Sequence, residues 1–63
     1  PDDVPVVGDK GKTATRLAPV GMVRNGNHTF EAKALEGMID PGVSVEVVLI
    51  DDNKIYVSPV NEN

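Results

Sequence analysis

Turn-forming residues cut this 63-residue chain into pieces so short that what lies between them suits strands rather than helices. Asn25-Gly26, Pro41-Gly42 and Asp51-Asp52-Asn53 each separate stretches that alternate polar and apolar side chains or are rich in valine. Asn-Gly tolerates positive φ at both central positions of a tight hairpin, Pro-Gly fits the i+1 and i+2 positions of a type II turn, and Asp and Asn accept left-handed backbone. Period-two alternation sends successive side chains to opposite faces of a strand, so each stretch can be read for its buried face. Residues 12–17, with Thr13 and Thr15, predict a first strand closed by Ala18-Pro19. Residues 20–24 form the second, paired antiparallel across Asn25-Gly26 with a third over residues 28–35. There Phe30, Ala32 and Ala34 take the core face, with Phe30 as the main anchor, and Thr29, Glu31 and Lys33 face water. Residues 35–42 have room for one helical turn at most. The fourth strand, residues 43–50, places Val43, Val45, Val47 and Leu49 on one face and is expected to be the most buried. Residues 55–58 complete a hairpin that Pro59 ends, because proline has no N–H for the ladder.

Five short strands need an arrangement that hides their edges, and curling into a small closed barrel does so; an open two-layer sandwich is the competing architecture. Gly21 interrupts an otherwise good strand, as a bulge or a close backbone approach at a barrel corner requires. The fold class expected is therefore all-β, a single small five-stranded β-barrel over residues 11–60. Residues 1–10, in which Pro1, Pro5, Gly8 and three aspartates break any period, read as a linker with an extended tail. Val4, Val6 and Val7 within it suit contact with a neighbouring surface, residues 61–63 read as a C-terminal tail, and the opening Pro1-Asp2-Asp3-Val4-Pro5 reads as an excised piece of a longer chain. A domain this small buries only about 60% of the surface its unfolded chain exposes. With no cysteines to staple it, only moderate stability is expected.

The acidic balance, 10 carboxylates against 6 basic side chains for a net charge of −4, works against general binding of nucleic acid or anionic membrane. The longest apolar run, Val47-Val48-Leu49-Ile50, falls far short of the roughly 20 residues that cross a bilayer. No residue constellation supports catalysis. His28 is the single histidine and follows a hairpin turn, which suits a solvated strand start. Ser44 and Ser58 lie on strands with no nearby base and no nucleophile elbow. Asp51 and Asp52, even with Asp40 or Glu46, lack the alternation of oxygen ligands that a calcium loop needs. Gly8-Asp9-Lys10-Gly11-Lys12-Thr13 has two residues between its glycines where a phosphate loop has four, and a strand where that loop has a helix. No catalytic, metal or cofactor site is expected.

The order Leu17-Ala18-Pro19-Val20-Gly21, then Gly26, Glu31-Ala32, Gly37-Met38-Ile39, Gly42 and the valine-rich strand resembles the soluble C-terminal domain of NfeD-like membrane proteins. That family has a Leu-x-Pro-x-Gly corner, a hairpin, a Gly-x-Ile-x-x-Gly bend and a valine strand, which Leu17, Pro19, Gly21, Gly37, Ile39 and Gly42 match in order. The likeness spans residues 11–60 and implies an OB-like five-stranded β-barrel attached after transmembrane helices that this chain does not contain. It further implies a membrane-associated protein with this domain on the cytoplasmic side, paired with a stomatin- or prohibitin-like partner in membrane organisation or quality control. Some longer relatives carry a Clp-like serine protease domain, but its serine–lysine dyad has no counterpart here.

The expected role is thus a non-catalytic protein-interaction or regulatory module, with Met38, Ile39, Val48 and Ile50 as a possible interaction surface. The alternative for those four is that they finish the core. Two other functions are weighed: accessory domain of a membrane-bound serine protease, and a nucleic-acid-binding OB-fold, for which Phe30, Tyr56, Arg16, Arg24 and Lys33 are a poor endowment.

Overall fold

The computed structural model describes residues 4–60; residues 1–3 of the expected linker and the whole expected C-terminal tail, residues 61–63, lie outside the described residues. Five strands run in chain order: β1 Lys10–Thr13, β2 Val20–Asn25, β3 His28–Ala34, β4 Ser44–Asp51 and β5 Lys54–Pro59. They close into a barrel in the order β1-β2-β3-β5-β4, with β4 returning to β1. Every pairing is antiparallel except β3 with β5, which run parallel at Lys33↔Tyr56 and Ala34↔Val57. The open sandwich is thereby excluded. Both hairpins, β2–β3 and β4–β5, turn at one end of the barrel, while the β1–β2 and β3–β4 connections cross the other end.

Local chemistry explains the turns. In the β4–β5 hairpin the central residues Asp52 and Asn53 have φ of 53° and 63°, the doubly left-handed backbone that a two-residue turn between twisted strands favours. In the β2–β3 hairpin Asn25 pairs with His28, so the central residues are Gly26 and Asn27, and of these only Gly26 has positive φ. The hairpin forms where expected, but one residue later, with glycine alone taking the unfavourable conformation. Pro41-Gly42 makes the expected turn, Gly42 having φ 78°. Residues 35–43 hold turns and no helix.

Three expectations are corrected. The first strand starts at Lys10 and stops at Thr13, not Leu17. Beyond Thr13 the chain folds over the start of β2: the N–H groups of Ala14 and Thr15 both donate to Met22 C=O, and Thr15 Oγ1 accepts from Met22 N–H at 3.0 Å while donating to Arg16 C=O. A threonine hydroxyl thus takes the place of a ladder partner. Leu17 still reaches the core, because it exchanges two backbone hydrogen bonds with Ile39, both at 2.9 Å, and the pair plugs that end of the barrel. Second, Phe30 is not the main anchor. The core consists of Leu17, Val23, Ala32, Ala34, Ile39, Val45, Val47 and Val57, and Phe30, like Val43 and Ile55, is half-buried at its margin. A barrel this narrow is filled by small and β-branched side chains, and a ring fits only near its mouth. Third, Leu49 leaves the buried face. A bulge between Val47 and Leu49 sets Val47 opposite Val57 but Leu49 opposite Tyr56, so the alternation shifts by one residue.

The corner around Gly21 is a close approach. A Cβ there would collide with Arg16 C=O and stand 2.6 Å from both Leu17 Cδ2 and Thr15 Oγ1. Thr13, the buried polar residue among those described, satisfies itself by donating from Oγ1 to Asp40 C=O at 2.7 Å and accepting from Val43 N–H at 2.9 Å. Those bonds fasten the β3–β4 connection to β1.

Candidate interaction surface

The bulge that takes Leu49 out of the core builds the main apolar feature of the surface. Val48, Leu49 and Ile50 follow one another on β4 and are 38%, 44% and 37% exposed. Beside them runs the segment before β1. It makes a turn in which Asp9 N–H donates to Val6 C=O and Asp9 Oδ2 accepts from Val6 N–H, and it is tied to the bulge by Gly8 N–H to Val47 C=O and Val47 N–H to Asp9 C=O. Val6 and Val7, both exposed, therefore stand at the same end of the barrel as the β4 run. Carboxylates rim this area at Asp9, Asp51 and Asp52.

The four residues singled out in the sequence are not brought together. Val48 and Ile50 lie in the β4 run, joined by Leu49, which the alternation had assigned to the core. Met38 is 62% exposed but lies in the β3–β4 connection, at the opposite end of the barrel. Ile39 is 6% exposed and belongs to the core plug with Leu17, so it is withdrawn from the surface. Val6 and Val7 were legible only as valines suited to some neighbouring surface; their place beside β4 comes from the Gly8 and Asp9 hydrogen bonds.

The remaining candidates stay scattered. Asp40 sits with Arg16 at 3.7 Å in an exposed ion pair in the β3–β4 connection, whereas Asp51 closes β4 at the far end, eight residues of strand away or roughly 25 Å at the usual rise. Among the described residues no three His, Asp or Glu side chains group as a metal would require. Ser58 lies opposite Glu46 across β4 and β5, and His28 opposite Asn25 at the hairpin. Where the short β3–β5 pairing stops, a groove of about 190 Å³ opens, lined chiefly by Glu31, Ala32, Lys33, Lys54 and Ile55. Its charges are mixed, and Lys33 Nζ is engaged 5.7 Å from the centre of the Tyr56 ring. No helix among the described residues is long and apolar enough to cross a membrane.

A closed barrel of five strands, filled by aliphatic side chains and without a helix among the described residues, defines the class: a small OB-like β-barrel domain. Among solved structures it is similar to the C-terminal domain of stomatin operon partner protein 1510-C from Pyrococcus horikoshii, with a TM-score of 0.78, 26% sequence identity and 89% of each chain covered. This likeness agrees with the resemblance to NfeD-like C-terminal domains that the corner and bend residues indicated. No protein-family model matches the chain, and no curated protein does.

Proposed function

We propose that this domain is a non-catalytic docking module of a membrane-anchored NfeD-like protein, which engages a stomatin- or prohibitin-like partner in membrane organisation or quality control. The observation that carries the reading is the exposed run Val48-Leu49-Ile50 on a domain whose fold matches that of a stomatin operon partner protein. Burying apolar surface against a partner contributes about 25 cal/mol per Å², and the exposed aliphatic surface of Val48 and Leu49 at the bulge, with the strand edge at Ile50 beside it, can be buried in this way. The acidic rim would restrict which partners dock and in what orientation. The domain contributes contact and placement, and any chemistry belongs to proteins it holds.

The test is co-purification of this domain with a stomatin-like protein from the same organism. Leu49→Asp is expected to abolish capture while circular dichroism and the unfolding midpoint stay within error of the parent, because Leu49 packs outside the core. Met38→Asp, at the other end of the barrel, should leave capture intact. Equal capture by the parent and Leu49→Asp proteins would overturn the assignment of this face.

A further inference from the structure

Among the described residues, the backbone of β4 is open on one side beyond its bulge. β1 covers β4 at Lys10↔Glu46, Gly11↔Val45 and Lys12↔Ser44, and the last hydrogen bonds on that side are those of Val47 with Gly8 and Asp9. From Val48 to Asp51, among the described residues, the pairing of β4 is with β5 alone. The geometry of a two-residue hairpin identifies the groups left over. Its closing pair, Asp51↔Lys54, is the hydrogen-bonded kind, so the next pair, Ile50↔Ile55, is not, and the N–H and C=O of Ile50 point to the open side. The extra residue of the bulge, Val48, adds a second position without a ladder partner. An edge of this kind is a template for another strand, and here it is flanked by exposed Val48 and Leu49.

Charge selects the occupant. Lys10 stands opposite Glu46 and Lys54 opposite Asp51, so the carboxylates of Asp9 and Asp52, one at each end of the open stretch, have no lysine paired across the sheet. A second copy of this chain would bring the same carboxylates and another net charge of −4 against them. A segment carrying lysine or arginine is attracted to both ends. We propose that the open edge of β4, from Val48 to Asp51, is a strand-addition site for an extended basic peptide segment whose alternate residues are apolar. This deepens the docking reading of the same face by naming how the partner is held.

The probe is the synthetic peptide acetyl-(Lys-Val)₃-amide, titrated into the full 63-residue chain at low salt and followed by amide nuclear magnetic resonance. Saturable shifts at Val48, Ile50 and Asp51 are expected, with binding at least tenfold weaker for acetyl-(Glu-Val)₃-amide and lost for the lysine peptide N-methylated at every backbone amide of its six residues, which keeps its ammonium groups but has no N–H on those residues to offer the edge. Ile50→Pro removes an outward N–H and should weaken binding at least tenfold while the remaining amide spectrum holds its place. Unchanged affinity after N-methylation, shifts centred away from β4, or no shifts up to millimolar peptide would each overturn strand addition. If the peptide fails while Leu49→Asp still abolishes partner capture, docking stands and the edge mechanism falls. Peptide binding without partner capture supports the edge and removes the stomatin-like partner.

Discussion

Replacing Gly21 by alanine sets two effects of opposite sign against each other. Gly21 is not among the residues with left-handed φ, so alanine can adopt its backbone, and the lost freedom of the unfolded chain would by itself stabilise the protein by about 0.4–1 kcal/mol. Against this stands the corner. The added methyl collides with Arg16 C=O and lies 2.6 Å from Leu17 Cδ2 and Thr15 Oγ1. None of these neighbours can swing away freely. Arg16 C=O is backbone and accepts the Thr15 hydroxyl, which also holds Met22 N–H, and Leu17 is fully buried and fixed by its two backbone bonds to Ile39. Overpacking a closed site costs about 1–3 kcal/mol, and a collision with main chain belongs at the upper end. The net expectation is a loss of about 2 kcal/mol, which for a domain of this size lowers the melting temperature by roughly 8–16 °C. Thermal unfolding followed by circular dichroism, with urea midpoints as a second measure, reads this directly. Faster exchange of the Met22 amide would place the damage at the corner. A Gly21→Ala protein as stable as the parent, or more stable, would refute the steric argument.

Urea unfolding measures four other predictions. Thr13→Val leaves Asp40 C=O and Val43 N–H without their hydroxyl partner inside a buried site and should cost about 1–3 kcal/mol, whereas Thr13→Ser should recover most of it. Leu17→Ala removes the side chain that plugs one end of the barrel; its cost of about 2–5 kcal/mol approaches the whole stability of a domain this small, so a large unfolded fraction is expected at 37 °C. Asn53→Ala places a side chain poorly suited to left-handed backbone at φ 63° and should lose about 1 kcal/mol, while Asn53→Gly stays near neutral. Arg16→Gln breaks an exposed pair at 3.7 Å and should change stability by less than about 1 kcal/mol; a larger effect would mean that Arg16 does more than pair with Asp40.

The strands and turns were largely legible because the signals that specify them are local. Asn25-Gly26, Pro41-Gly42 and Asp51-Asp52-Asn53 each mark a reversal through their own φ preferences, and alternation from Thr29 to Ala34 correctly sent Ala32 and Ala34 inward. Where the reading went astray, a distant partner decided. Thr15 ends β1 through a hydroxyl bond to Met22, seven residues on, and no period in the sequence announces it. Alternation sends Phe30 to the core face, yet the bore of the barrel sets what can occupy its axis. The candidate surface was half legible: Val48 and Ile50 stood out as apolar residues on the second face of a strand, but Met38 lies at the other end and Ile39 inside.

Sequence alone determined that this chain forms short strands joined by tight turns, that a single aliphatic core without disulfides must hold it, and that its Leu17-x-Pro19-x-Gly21 corner resembles NfeD-like domains. Tertiary structure alone decided the bulge at Val48, and with it the exposure of Leu49 and the open edge beyond. The alternation that starts at Val43 gives way at Val47 to the apolar run Val47-Val48-Leu49-Ile50, in which either face could be the buried one, so nothing local fixes where an extra residue falls. The bulge falls where the cover of β4 by β1 ends: β1 reaches Glu46, Gly8 and Asp9 hold Val47, and β5 alone continues along the other side. Register is a property of paired strands, and a shift of one residue is enough to turn a core leucine into a surface one.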